Sequence, residues 1–253
     1  MRYFRAAFGV IGLFALYGCV TETAQFTPLD GQTALVRDGQ PAIVSKKPGS
    51  ILIVQPAKEG FPQGSRPEYV IGLFNPGTEP LAFSVANIRV KQTLETGKPH
   101  KLKVFTYEQL VAEERSRQVA TAILLGVAAA ADSYSASQAG YYNSTSTVYT
   151  PRGTAVVSTT GYSSTAAAIA QASATAESNA RMDSAIESGR RNLANLRNTI
   201  LKDHTLLPGE WYGGKLQFEP PKKQSTPQQS YQITVYIGGD AHVFDIKQGD
   251  PTK

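Results

Sequence analysis

The stretch Lys101-Leu102-Lys103-Val104-Phe105-Thr106-Tyr107-Glu108-Gln109-Leu110-Val111 changes its period partway along. In its first half charged and apolar residues alternate, which lays one face of a β-strand on a core and leaves the other wet. From Tyr107 the apolar positions fall at 107, 110 and 111, the spacing of one helix face. Charges follow at Glu113, Glu114, Arg115 and Arg117. The chain thus leaves a sheet and enters a helix within a few residues.

Upstream of this switch, residues 33–106 read as β-structure. Runs rich in β-branched and aromatic residues lie between Pro and Gly: Thr33–Arg37, Ala42–Ser45, Ser50–Gln55, Glu68–Phe74, Leu81–Val90 and Lys101–Thr106. Asn75-Pro76-Gly77 and the segment Glu95–Pro99 supply turns. Near the other end Tyr212–Glu219, Tyr231–Ile237 and His242–Ile246 read as three more strands, the last two joined across Gly238-Gly239-Asp240. About nine strands in such a rhythm suit an immunoglobulin-like antiparallel β-sandwich built from 33–106 and 204–248. Trp211, at the head of a late strand, is expected as a core or corner aromatic.

Downstream of the switch the composition differs in kind. A helix is expected from Tyr107 to about Ser133 and a second from Thr165 to Lys202. In the second, Met182, Ile186, Gly189, Leu193, Leu196 and Ile200 repeat with the 4-3-4-3-4 spacing of a coiled-coil seam. Residues 166–180 are almost all small, with Ile169 the bulky exception. The first helix runs the other way, charged and bulky first, then Val119–Val127, then Ala128–Ala131. Folded antiparallel, the two place small residues opposite small ones and large opposite large, so 107–203 reads as a helical hairpin inserted into the sandwich. The fold class expected is α+β. The apolar run Val119–Ala131 is too short for a transmembrane helix, which takes about 20 residues, and is expected as a buried face.

Between the helices, 133–165 is rich in Ser, Thr and Tyr. Thr145–Thr150 and Thr154–Thr159 flank Pro151-Arg152-Gly153 and have the composition of a short β-hairpin. A flexible polar loop is the alternative. If the strands are real, their uncharged edges can pair with copies of themselves. To cross a bilayer they need 9–11 residues, which requires extension through Tyr141–Asn143 and Thr160–Ser163. Val148, Tyr149, Val156 and Val157 on the tip, with Ile186, Leu193, Leu196 and Ile200 on the seam, are the candidate self-association or partner contacts.

At the start of the chain Arg2 and Arg5 precede the apolar run Ala6–Leu16, which has the length and flanks of a signal peptide. The next residues, Leu16-Tyr17-Gly18-Cys19, resemble the lipobox of bacterial lipoproteins; Tyr17 stands where a small residue is usual. The resemblance implies cleavage after Gly18, diacylglyceryl and palmitate-type acylation at Cys19, and anchoring to membrane. In Gram-negative lipoproteins a residue other than Asp after the cysteine, here Val20, implies sorting to the outer membrane, with the fold facing the periplasm. Residues 19–32 are expected as a lipidated polar tether.

Composition narrows the functional classes. Cleavage removes Arg2 and Arg5 from the 25 basic residues, leaving 23 against 20 acidic ones. These are interspersed without a basic stripe, so nucleic acid is not an expected partner. Cys19 is the only cysteine, and His100, His204 and His242 lie far apart, so neither a disulfide nor a metal site is expected. No GxSxG or HExxH occurs. On a strand His242 and Asp245 point to opposite faces, with His242 expected at the surface or rim. Glu113 and Glu114 point apart on a helix, giving no glycosidase dyad. The expectation is a non-enzymatic protein of the cell envelope with a structural or protein-interaction role. It needs no cofactor and no evident small-molecule substrate, and it contacts other envelope proteins or its own copies through the helical hairpin. The alternatives are an oligomeric outer-membrane pore or secretion component and, third, a periplasmic hydrolase.

Overall fold

The computed structural model describes residues 21–37, 39–150, 153–226 and 228–250. Gly18 and Cys19, and Pro151 and Arg152 at the centre of the tip, lie outside the described residues. The chain divides into two compact units: one from the chain up to Val104 and from Asp203 onward, the other Phe105–Lys202.

The first unit is two facing antiparallel sheets. Its strands in chain order are β1 (Thr21–Thr27), β2 (Gln32–Arg37), β3 (Gln40–Lys47), β4 (Ser50–Pro56), β5 (Phe61–Pro62), β6 (Glu68–Phe74), β7 (Leu81–Phe83), β8 (Ile88–Thr93), β9 (Pro99–Leu102) and β10 (Val104–Phe105). Beyond the second unit, which holds β11 (Tyr141–Thr150) and β12 (Gly153–Tyr162), follow β13 (His204–Leu206), β14 (Trp211–Phe218), β15 (Gln228–Ile237) and β16 (Asp240–Gly249). One sheet has the order β5-β1-β16-β15-β8-β9, the other β10-β14-β6-β4-β3-β2, while β7 and β13 pair separately. The alternation legible in β4, β6, β8 and β15 is real, with every second residue buried. Leu52, Val54, Ile71, Leu73, Phe218, Ile233 and Phe244 fill the space between the sheets. The β15–β16 turn is a two-residue loop closed by Ile237 opposite Asp240. Gly238 and Gly239 both take positive φ there, 57° and 81°, as a tight hairpin of this hand demands.

The architecture is therefore sandwich-like sheets with a helical hairpin, and several expectations need correction. The polar tether contains β1, which pairs with β16 over Thr23–Thr27. Its alternation is hidden because one of its inward residues is Glu22, buried by a hydrogen bond from Gln248 at 2.7 Å. Leu81–Val90 is not one strand. Ser84 Oγ accepts from Ala86 N at 3.3 Å and caps a 3-10 turn over Val85–Asn87, and Asp203 takes the Val85 amide at 2.8 Å. Lys101–Thr106 likewise splits, β9 joining one sheet and β10 the other. Lys103 marks the break, exchanging backbone and side-chain bonds with Glu219. Trp211 is no core residue: it is 55% exposed and stacks on Phe74 with ring centroids 4.8 Å apart.

The second unit consists of α1 (Tyr107–Gln138), the β11–β12 hairpin and α2 (Ser164–Thr199). Thr106 and Gln109 form a reciprocal capping box at the start of α1, and Ser163 caps α2 through Ala166 N. The helices run antiparallel, as their cross-links show: Asn192 to Glu114 at 3.1 Å, Arg181 to Asp132 at 2.9 Å and Gln171 to Ser133 at 2.6 Å. α1 continues past the expected Ser133, through the small polar residues that separate it from β11.

Candidate interaction surface

At the base of the helix pair Phe105, Leu110 and Ile200 form a small core, with Tyr107 and Leu196 packed against it. Of the predicted seam, Ile200 and Gly189 are buried, Met182, Leu193 and Leu196 half-buried, and Ile186 exposed. Ile200 and Leu196 thus pack within the unit. Further along, small and polar groups line the seam beside half-buried Met182 and Leu193. Gly189 is in contact with the Gln118 side chain, and Ala167 and Ala136 are the buried residues toward the hairpin. Glu114 is buried, held by Arg117 (2.6 Å), Gln118 (3.2 Å) and Asn192.

Several large apolar residues of α1 are left exposed, while Leu125 is half-buried. Val119, Ile123, Leu124 and Val127 are exposed, Leu124 at 69%, and Val119 also borders the groove between the helices. This corrects the expectation of a buried face for Val119–Ala131. Leu110 at the base, then Glu114 and Gln118, and Asp132 and Ser133 further along, occupy the side toward α2. Among the described residues α1 is the one helix long and apolar enough by composition to cross a membrane. A groove of about 590 Å³ opens between the helices, lined among others by Gln118, Ala122, Met182, Ile186, Gly189 and Leu193.

The tip is a hairpin, not a loop. β11 and β12 pair over ten residues each, from Tyr141 opposite Tyr162 to Thr150 opposite Gly153. They extend beyond the expected six-residue strands and include the flanking segments. Ser163 N donates to Gly140 O at 2.7 Å to close the base, where the rings of Tyr141 and Tyr162 meet edge to face at 4.9 Å. Val148, Tyr149, Val156 and Val157 are all exposed, Tyr149 at 82%. Among the described residues the two strands have no other sheet neighbour.

The other unit holds two buried polar networks that sequence reading missed, since their members look like scattered polar residues on strands. His242 is fully buried, not at the rim. Its Nε2 meets Ser50 Oγ at 2.8 Å and its Nδ1 meets Ser45 Oγ at 2.9 Å. Ser50 Oγ donates to Asp240 at 3.1 Å, so it must accept from Nε2–H, and Ser45 then donates to Nδ1. A serine whose hydroxyl donates to an aspartate and accepts from an imidazole N–H is no activated nucleophile, and this one is fully buried. Burial pulls the His242 pKa down to about 4. The second network runs Tyr69–Tyr231–Gln248–Glu22, with contacts of 2.5, 2.8 and 2.7 Å. Burial pushes both phenols up. Both networks join the two sheets. No family, no characterised protein and no solved structure matches this chain.

Proposed function

We propose that this chain is a lipid-anchored protein of the Gram-negative outer membrane, facing the periplasm, with a non-enzymatic structural or protein-interaction role exercised through its helical hairpin unit. The observation that carries the reading is the inversion in that unit. Much of what lies between the helices beyond the base is small or polar, with Met182 and Leu193 only half-buried, whereas Val119, Ile123, Leu124 and Val127 are exposed. A continuous exposed apolar strip of this kind marks a site of association. The Leu16–Cys19 motif supplies the address, with acyl chains that give a stable anchor when two or more are present. The two-sheet unit, which we read as an immunoglobulin-like sandwich with added edge strands, serves as the body that carries the contact unit.

The test has two arms in intact cells. Radiolabelled palmitate is expected in the wild type and absent from Cys19→Ser, which moves to the soluble fraction. A photo-crosslinking residue at Leu124 or Tyr149 is expected to capture protein adducts, and one at the exposed Lys91 of β8 to capture none. Adducts from Lys91 alone would sink the assignment of contact to the helical unit.

A pore or secretion component is the second reading, supported by the ten-residue strands of the hairpin, the length that crosses the hydrocarbon layer when tilted. Leakage of dye from vesicles that depends on residues 141–162 would favour it, and tight vesicles would dismiss it.

A further inference from the structure

We infer that the partner of the hairpin is a second copy of this chain, and that copies join edge to edge, β12 of one beside β11 of the next. The inference rests on the contact reading above and names its partner.

A two-stranded antiparallel sheet leaves every second backbone N–H and C=O of each strand pointing outward. Alone in water such a hairpin is marginal. Folded proteins guard exposed edges with charges, prolines, bulges or short length. Here both edges run ten residues without a bulge in the register. Neither Tyr141–Thr150 nor Gly153–Tyr162 contains a charged residue or a proline. The depletion extends well beyond the hairpin: residues 118–176 hold only Asp132 and Arg152 as charges, and Asp132 is neutralised by Arg181 at 2.9 Å. An edge of that character accepts another β-strand, and nothing in its side chains repels an identical one.

Three points select a copy over an unrelated strand. First, the hairpin presents one β11 edge and one β12 edge, so each copy supplies what its neighbour lacks. Second, β12 beside β11 keeps the sheet antiparallel while every copy points the same way, as anchoring in one leaflet requires. Such a head-to-tail contact repeats, giving a ring where the rotation between copies closes and an open row where it does not. Third, the surface is sufficient. A strand edge about 33 Å long, with one flank of a helix pair about 50 Å long, offers on the order of 800 Å² per copy. That is what a standard interface takes from each partner. The helices add exposed apolar side chains, Ile123, Leu124 and Val127 among them, that neighbouring copies would cover.

The decisive measurement is the molar mass by light scattering of the full-length acylated protein extracted in mild detergent, for the wild type and two variants. Thr145→Lys with Thr159→Lys puts a charge on each strand. Thr145→Val with Thr159→Val keeps shape and β-propensity without charge. Circular dichroism is recorded on all three to establish that the helices persist. The expected result is a uniform wild-type assembly of several copies, retained in the valine variant and reduced to monomer in the lysine variant. A wild type that is monomeric, or a lysine variant that stays assembled with its helices intact, overturns the inference. Crosslinks from Leu124 to a different protein in a monomeric wild type would overturn it while leaving the contact reading in place.

Discussion

His242 shows how a single buried side chain sets a pH limit on the fold. Its ring lies between Ser45 and Ser50, with Asp240 favouring its charged form and Lys47 opposing it. Desolvation wins, and the folded pKa falls from 6.5 to about 4. Between these values the unfolded chain binds a proton that the folded one refuses, so stability is complete above pH 6.5 and declines as pH falls toward 4. A shift of this size corresponds to at most about 3 kcal/mol. The urea midpoint should therefore drop across that window in the wild type, and the drop should shrink in His242→Gln. An equal slope in the variant would remove His242 as its source. The tyrosine chain makes a second residue-scale prediction, because its hydrogen bonds have a direction. Tyr231 donates to Gln248, so Tyr69 must donate to Tyr231. Tyr231→Phe orphans a donor and an acceptor, whereas Tyr69→Phe only frees a lone pair. Denaturant titration should place Tyr231→Phe the lower of the two, by about 1–3 kcal/mol against wild type.

Among the elements, the helix pair depends on how closely α2 approaches α1 at Gly189. A Cβ there would lie 2.7 Å from the flexible end of Gln118. Gly189→Ala should be close to neutral: Gln118 can swing away, and the loss of its bond to Glu114 is offset by about 1 kcal/mol of helix propensity. Gly189→Leu cannot be absorbed in this way and should destabilise the pair by about 1–3 kcal/mol. Hydrogen exchange in α2 separates the two cases, and equal protection in both variants would rule out close approach at this position. The heptad spacing at 182–200 made the helices legible, and strict alternation did the same for β4, β6 and β15. β1 was missed because Glu22 stands among its inward residues, where an apolar residue would have signalled a strand. The hairpin was half legible: Thr and Val revealed its tip, but Tyr141–Ser144 carry no turn or strand punctuation that would extend it. The outward face of α1 could not be read at all. A helix whose partner-facing side carries Glu114, Gln118, Asp132 and Ser133 gives no apolar contrast by which to tell which side is buried.

At the scale of the whole molecule, the chain divides at Val104–Phe105 and Lys202–Asp203 into units of very different cohesion. The two-sheet unit has a continuous interior of aliphatic and aromatic side chains crossed by two satisfied polar networks, with no buried side-chain polar atom among the described residues left unpaired. Among the described residues the helical unit has the Phe105–Leu110–Ile200 cluster with buried Leu201 at its base, and beyond it a seam whose larger members, Met182 and Leu193, are only half-buried. Since stability follows buried apolar surface, at roughly 25 cal/mol per Å², the helical unit should unfold first, and the molecule should not behave as two-state. Calorimetry of the unacylated chain is expected to give two transitions. Replacing 107–202 with a short Gly-Ser link should abolish the lower one and leave the upper in place. Leu124→Lys should move neither by more than about 0.5 kcal/mol, because its side chain already faces water. In the assembled, acylated protein the same substitution should lower the first transition, since there the side chain would leave a contact rather than solvent. A single transition that shifts on excision of 107–202 would mean that the sheets and the helices share one cooperative core.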